Sequence, residues 1–275
     1  MKVKGFVLVG LVFLFALLLP PDIAWAQEPL VEQWVAVYNG PGNGYDGGND
    51  IAIDSSGNVY VTGESKGSST GRDYATIKYD SAGNQLWEVR TYNGPVNSND
   101  CATKIAIDSS GNVYVTGWSV GSGTGHDYAT IKYDSSGNQL WVARYNGPGN
   151  NTDHARGIAI DSSGNVYITG WSVGSGTGQD YATVKYDSAG NQLWVKRYNG
   201  PGNGYDGGND IAVDSSDNVY VSGYSVGEDT GWDCVTIKYN SAGSELWVRR
   251  YNGPDNADDC GHAIAVDGSD NVYVT

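Results

Sequence analysis

The sequence predicts an all-β fold built from tandem repeats, and three observations lead to this prediction. The tripeptide Asn-Val-Tyr recurs five times at steps of 53 or 54 residues. The composition, with 40 Gly, 20 Tyr, 9 Trp and a single Met, is typical of short strands joined by tight turns. After the first 26 residues, no stretch places apolar residues at helical spacing. A tryptophan keeps the same period, at Trp34, Trp87, Trp141, Trp194 and Trp247.

Residues 1–26 have the features of a signal peptide. Two lysines precede an apolar stretch at residues 6–19, and Ala24 and Ala26 are small residues at the positions that determine cleavage. We expect cleavage between Ala26 and Gln27, because the apolar stretch is shorter than the roughly 20 residues that span a bilayer. The alternative is an uncleaved anchor. The mature protein is therefore expected to be exported (periplasmic, cell-surface or secreted), without membrane insertion.

The chain is strongly acidic, with a formal net charge of −15. Removal of residues 1–26 leaves 14 basic and 30 acidic residues, a net charge of −16. This excess disfavours nucleic acid and anionic membranes as partners, because both attract Lys and Arg. It is compatible with a protein or glycan ligand or with cations, and equally with solubility alone.

Each repeat resolves into four short strands. In the second repeat we predict strands at residues 105–107, 113–116, 128–133 and 139–144, with a Gly- and Ser-rich loop at 117–125. The segments 108–112 and 134–138 are Asp-Ser-Ser-Gly-Asn turns, in which Gly or Asn takes the positive φ. Four antiparallel strands in about 50 residues are the signature of a β-propeller blade. We expect the small first strand to lie innermost and the tryptophan of the fourth to fill the gap to the next blade.

The predicted domain organisation is a signal peptide at 1–26 and a β-propeller at 27–275. Its repeat units are about 38–91, 92–144, 145–197, 198–250 and a partial unit at 251–275. One extra residue at 88–91 predicts a local irregularity there. Residues 31–37 match only a fourth strand, and the last unit lacks its third strand because the chain stops within the second. We therefore expect a truncated copy of a longer protein. The alternative is a five-bladed ring closed by a three-stranded blade.

Two segments carry a resemblance to a known family. Residues 157–170 (GIAIDSSGNVYITG) and 180–187 (DYATVKYD) resemble the SBBP class of bacterial β-propeller repeat. The resemblance covers essentially the whole mature chain. It implies blades of a ring that is often seven-bladed, on exported or surface proteins of bacteria, and it implies no defined activity.

An aspartate column is the first candidate site. One aspartate precedes the innermost strand of every unit, and in a closed ring these carboxylates would converge near one mouth of the channel and hold a cation. The alternative is that each aspartate braces its own loop. The residues are Asp46, Asp100, Asp153, Asp206 and Asp259.

Neither a resident cofactor nor a calcium loop is expected. Asp54, Ser56 and Asn58 alternate as calcium ligands do, but Val59 and Ser65 occupy the positions where a calcium loop needs Gly and Glu. Calcium therefore remains the weaker alternative to a plain turn. Residues 186–194 resemble the blade motif of the quinoproteins, which in that family is structural and does not bind the quinone.

Aromatic residues are the second candidate site. Trp118, Trp171 and Tyr224 share one repeat position, and Trp232 lies in a neighbouring loop. Exposed aromatic rings would stack on sugar faces, and repeated weak sites would gain avidity. The alternative is that these rings fold back between the blades.

Repetition argues against catalysis, because an active site needs unlike groups at one asymmetric place. Residues 38–52 are reproduced identically by residues 198–212. His126 is assigned to an exposed loop, and a soft metal site of Cys101, His154 and Cys260 would need residues of separate blades to meet. The sequence favours a non-catalytic binding or scaffolding module for protein or polysaccharide. The alternatives are a lyase or quinone-dependent oxidoreductase with its active-site residues in a missing portion, and a purely structural spacer.

Overall fold

The computed structural model describes residues 32–275, which form 18 β-strands. Residues 1–31, which include the expected signal peptide, lie outside the described residues. Within residues 32–275 there is no helix with the length and apolar character needed to cross a bilayer.

Strands β1 to β16 form four sheets, each of four antiparallel strands in chain order, and we call these sheets blades 1 to 4. Blade 1 contains β1 (Asp46–Ile53), β2 (Val59–Lys66), β3 (Arg72–Tyr79) and β4 (Arg90–Tyr92). Blade 2 contains β5 (Asp100–Ile107), β6 (Val113–Val120), β7 (His126–Tyr133) and β8 (Gln139–Tyr145). Blade 3 contains β9 (Asp153–Ile160), β10 (Val166–Val173), β11 (Gln179–Tyr186) and β12 (Gln192–Tyr198). Blade 4 contains β13 (Asp206–Val213), β14 (Val219–Val226), β15 (Trp232–Tyr239) and β16 (Glu245–Tyr251).

A fifth sheet contains only two strands, β17 (Ile264–Val266) and β18 (Val272–Val274). The first strands of successive blades contact one another, from β1 through β5, β9 and β13 to β17. This succession confirms a β-propeller architecture with the first strand of each blade on the inside.

The first and second strands are longer than the sequence predicted. Strand β5 begins at Asp100 rather than at residue 105, and β6 runs to Val120 through the predicted loop. Gly117 lies inside β6, where the backbones of β5 and β6 approach closely. A Cβ at this position would collide with the carbonyl oxygen of Cys101. Glycine was interpreted as a loop residue, whereas here it permits close contact inside a sheet.

A bulge in the first strand of each of blades 1 to 4 turns one side chain toward the next blade. In β5 the register shifts between Ala102 and Lys104, which leaves Thr103 unpaired in the ladder. The Thr103 hydroxyl donates to the carbonyl oxygen of Ala155 in blade 3 over 2.8 Å. Asn49 and Asn209 likewise donate to backbone carbonyl oxygens of the next repeat, whereas Arg156 donates to the side-chain oxygen of Asn209.

The hydrophobic core lies between the blades. Three buried clusters each combine residues of two successive blades. The ring centroid of Trp87, in the outer part of blade 1, lies 5.3 Å from that of Tyr60 and 6.4 Å from that of Tyr133 in blade 2. The tryptophan does fill the gap to the next blade, as predicted.

Two departures from regular repetition occur in and before blade 1. The irregularity predicted at 88–91 is present, since β4 has three residues where β8, β12 and β16 have seven. Residues 32–37 form no strand, because no described strand lies beside them to pair with. Trp34 nonetheless packs 5.7 Å from Tyr79, and its indole N–H donates to the carbonyl oxygen of Ser81 over 3.1 Å.

Candidate functional site

The aspartate that begins each first strand is held by its own blade. In blade 3 the carboxylate of Asp153 accepts hydrogen bonds from the backbone N–H of Gly147 (2.7 Å) and of Val173 (3.1 Å). Asp153 is fully buried, and this burial raises its pKa. Asp100 and Asp206 accept the equivalent two backbone bonds.

The channel-mouth cation site at these aspartates stays a prediction. The carboxylate oxygens are used inside each loop, as the alternative reading held, because buried carboxylates need hydrogen-bond donors close by. Among residues 32–275 no group of three or more His, Cys, Asp or Glu side chains is placed to hold a metal ion. The aspartates that accept such hydrogen bonds from their own loops are Asp46, Asp100, Asp153, Asp206 and Asp259.

The Asp-Ser-Ser-Gly-Asn segments form tight turns. In blade 1 one oxygen of Asp54 accepts the backbone N–H of Ser56 and of Asn58, both at 2.9 Å. The other oxygen accepts the Asn58 side chain at 2.7 Å and the Tyr60 hydroxyl at 3.0 Å. Gly57 takes a positive φ of 79°. Both carboxylate oxygens of Asp54 are thus engaged by the turn itself.

Open polar clefts lie between successive turns, and two of them are equivalent by the repeat. The cleft between blades 1 and 2 has a volume of about 920 Å³ and the one between blades 2 and 3 about 800 Å³, including the solvent space above them. Serine hydroxyls line both clefts. These serines are Ser55, Ser56, Ser109, Ser110 and Ser135 in the first, and Ser109, Ser110, Ser162, Ser163 and Ser188 in the second.

A buried lysine closes the base of each cleft. Lys132 is 7% exposed, and its ammonium lies 4.9 Å from the ring centroid of Tyr114. It donates to the carbonyl oxygen of Ser188 in the next blade over 3.1 Å. Lys78 and Tyr60 form the same base in the first cleft, with 5.0 Å between ammonium and ring centroid. These clefts are not predictable from the sequence, although every lining residue recurs in the repeat, because a cleft exists only where two turns face each other.

The aromatic candidates lie in strands rather than in exposed loops. Trp171 and Tyr224 are 8% and 7% exposed, in β10 and β14, and Trp118 is half-buried in β6. Trp232 begins β15 with its ring centroid 4.9 Å from that of Tyr224. The repeat position of Trp118, Trp171 and Tyr224 is at least partly buried. The second strand of each blade continues into the predicted loop, so the side chain at this position faces the neighbouring blade. The rings of Trp171 and Tyr224 pack between blades, whereas Trp118 and Trp232 are only partly buried.

Comparison with protein families gives a repeated match. The profile described as "SBBP: Beta-propeller repeat" matches residues 33–69, 94–123, 140–176 and 193–229. Over 111 residues the chain is 32% identical to an uncharacterized WD repeat-containing protein of Acanthamoeba polyphaga mimivirus. That match takes in 34% of this chain but only 8% of the viral protein's length.

Solved structures show the same fold at low sequence identity. A glucose dehydrogenase superposes with a TM-score of 0.50 at 10% identity, covering 87% of this chain and 82% of that one. A protein of unknown function from Dyadobacter fermentans DSM 18053 has a TM-score of 0.50 at 9% identity, with 82% and 73% covered. At such identity the likeness concerns the fold alone, so an enzyme among similar structures does not decide whether this chain is catalytic.

Proposed function

Because the chain belongs to the SBBP beta-propeller repeat family, we propose that it is a non-catalytic, exported module that binds protein or polysaccharide at the cell envelope or outside the cell. The signal-peptide features of residues 1–26 support export. The acidic net charge of −15 supports partners other than nucleic acid.

The equivalent clefts between blades are the observation that carries this proposal. Each offers serine hydroxyls at the rim and a lysine at the base, which suits a ligand rich in hydroxyl groups. A polysaccharide presents such groups at regular intervals and would engage successive clefts together. Linked weak sites then bind with an avidity that a single cleft lacks. Polysaccharide is therefore the ligand class that the geometry favours.

Repetition supports binding over catalysis. The two clefts are lined by corresponding residues of the repeat, such as Lys78 and Lys132. Acid, base and orienting groups need different surroundings, and equivalent clefts give them the same surroundings. The likeness to glucose dehydrogenase concerns the fold alone.

A cleft-blocking variant tests the proposal. Ser109 lines both clefts, so Ser109→Tyr narrows the two together. On an array of envelope polysaccharides we expect saturable binding by the parent and about tenfold or more weaker apparent affinity in the variant, since two linked sites are lost.

Ser136→Tyr provides the matched control. Ser136 lies in a turn of the same sequence, is exposed and lines neither cleft. It should bind as the parent does. A parent chain that binds no polysaccharide, or a Ser109→Tyr variant with unchanged binding, would contradict the assignment.

A further inference from the structure

Tyrosines of the third strands join successive blades in the same way. The hydroxyl of Tyr74, in blade 1, donates to the carbonyl oxygen of Ala129 in blade 2 over 3.1 Å, and Tyr128 donates to Ala182 in blade 3 over 3.2 Å. Both tyrosines are at most 1% exposed. Each of blades 2, 3 and 4 therefore holds one phenol ring of the preceding blade. The three rings are those of Tyr74, Tyr128 and Tyr181.

Blade 1 has a cavity at the same place. Its volume is about 440 Å³, including the solvent space at its mouth, and no third-strand tyrosine within residues 32–275 enters it. Ile168, beside Tyr128, is fully buried, whereas Val61, its copy in blade 1, is half-buried. The place for a phenol ring is thus present and open in blade 1. The lining residues Val61, Ala75 and Ile77 correspond to Ile168, Ala182 and Val184 around Tyr128.

Ala36 and Tyr38 form one wall of this cavity. They stand at the repeat positions of residues 143 and 145 in β8, and the ring of Tyr145 packs edge-on against that of Tyr128 with centroids 5.4 Å apart. A further blade would bring a fourth strand of its own to this place and clash with Ala36 and Tyr38. A small molecule enters beside them without displacing either residue. The cavity therefore suits a small ligand better than a further blade.

We propose that the cavity of blade 1 binds a small para-substituted phenol, whose hydroxyl donates to the carbonyl oxygen of Ala75 while its ring packs against Val61 and Ile77. The carbonyl of Ala75 corresponds to those that accept from Tyr74 and Tyr128. Apolar walls bury the ring, and one polar acceptor fixes its orientation. The cavity shares no lining residue with the clefts between turns, so phenol binding is independent of polysaccharide binding.

The hydroxyl of the ligand must be free. In blade 2 a Cβ built at Gly117 would lie 2.8 Å from the hydroxyl oxygen of Tyr74, so no further group fits on that oxygen. Gly63 lines the cavity of blade 1 at the corresponding position. The substituent leaves the ring on the side opposite the hydroxyl, where the main chain of a tyrosine continues. A phenol with its substituent at the para position is therefore favoured over an aryl ether.

Titration of the chain with 4-ethylphenol, followed by NMR spectroscopy, tests the site. This probe reproduces a tyrosine side chain as far as the Cα. We expect one molecule to bind per chain with a dissociation constant on the order of 1 mM, as for a ligand of this size. Nuclear Overhauser effects should connect its ring with the methyl groups of Val61 and Ile77. 4-Ethylanisole, whose oxygen cannot donate, should bind at least about tenfold more weakly.

Two substitutions on the same face of blade 1 provide a matched pair. Val61→Phe places a ring inside the cavity and should weaken the binding of 4-ethylphenol by about tenfold or more, since two rings cannot share the space. Ile53→Phe adds the same ring two residues along β1 from Ile51, the ladder partner of Val61, and Ile53 does not line the cavity. It should bind the probe as the parent does. Circular dichroism checks that both variants keep the β-sheet content of the parent.

The comparison of 4-ethylphenol with 4-ethylanisole uses the parent chain, so it decides the matter even if Val61→Phe fails to fold. Equal binding of these two probes, no binding of 4-ethylphenol, or parent-like binding in folded Val61→Phe would overturn the proposal. Tighter binding of N-acetyltyrosinamide than of 4-ethylphenol would also overturn it, in favour of a tyrosine side chain of another polypeptide.

Discussion

At the scale of single residues, one aspartate satisfies several donors in each turn. One oxygen of Asp187 accepts the backbone N–H of Ala189 (2.9 Å) and of Asn191 (2.8 Å), and the other accepts the Asn191 side chain. These bonds lower the pKa of Asp187. A lowered folded-state pKa stabilises the fold above the unfolded pKa, and this stability is lost as pH falls through the folded pKa. The turns therefore support folding at neutral pH and weaken in acid.

Cys101 should be the least reactive of the three thiols. It is 8% exposed, and burial together with Glu64 raises its pKa to about 12. At pH 8 only about one thiol in 10⁴ is then ionised, and the thiolate is the reactive form. We expect iodoacetamide to modify half-buried Cys234 and Cys260 first, and Cys101 only after unfolding. Mass spectrometry of time points would measure this, and equal rates at Cys101 and Cys260 would contradict it.

At the scale of elements, the short strand β4 has a definite cause. In blade 2 the guanidinium of Arg144 donates to Asp127 and to the carbonyl oxygen of Ser119, both at 2.9 Å. In blade 1 the extra residue shifts the register. Thr91 therefore lies opposite Ala75, in the position that Arg144 occupies opposite Ala129 in blade 2. The Nε atom of Arg90 is buried and has no hydrogen-bond partner among the described residues. One inserted residue thus removes a repeated ion pair.

Deletion of Thr91 should repair this blade. The sequence Trp-Glu-Val-Arg-Tyr would then align with residues 141–145, and Arg90 would reach Asp73, whose pKa burial raises. We expect an unfolding free energy higher by about 1–2 kcal/mol, since hydrogen bonds between charged groups are restored. Urea denaturation would measure it.

The control combines the deletion with Arg90→Ala. This double variant should lose the increase in unfolding free energy, because the register is restored but the guanidinium of Arg90 is absent. A deletion variant less stable than the parent would show that the irregularity is needed where it is.

At the scale of the whole molecule, residues about 53 positions apart hold the blades together. The buried hydroxyl of Tyr128 donates to the carbonyl oxygen of Ala182 over 3.2 Å, and that of Tyr181 donates to Val235 over 3.1 Å. Blade 1 lacks a preceding blade among the described residues. Ile51 is 44% exposed, whereas Ile211, its copy in blade 4, is 5% exposed against blade 3. Within residues 32–275, no blade covers the surface of blade 1 that corresponds to the blade 4 surface packed against blade 3.

We expect this open surface to pair with a second copy of the chain. Residues 38–52 are identical to residues 198–212, which blade 3 covers, so the surface already fits a blade of this sequence. Ile51→Lys with Ile53→Lys should reduce self-association in sedimentation velocity, because buried charges are costly.

Leu140→Lys is the matched control for the open surface. Leu140 is 52% exposed on β8 and should not affect association. A parent chain that stays monomeric at all concentrations would refute this pairing.

The sequence by itself determined the repeat, the four strands of each unit, the turns and the irregularity at 88–91. These features depend on residues that are close together in the sequence. The Asp54 turn closes within five positions, and the repeat period can be read directly from the sequence. Only the tertiary structure decided which polar and aromatic groups meet. The hydrogen bonds between Thr103 and Ala155 and between His126 and His154 join different blades. No local sequence pattern predicts such contacts. Blade packing likewise buried Trp171 and Tyr224 of the predicted aromatic site, because a side chain's neighbours lie one repeat away.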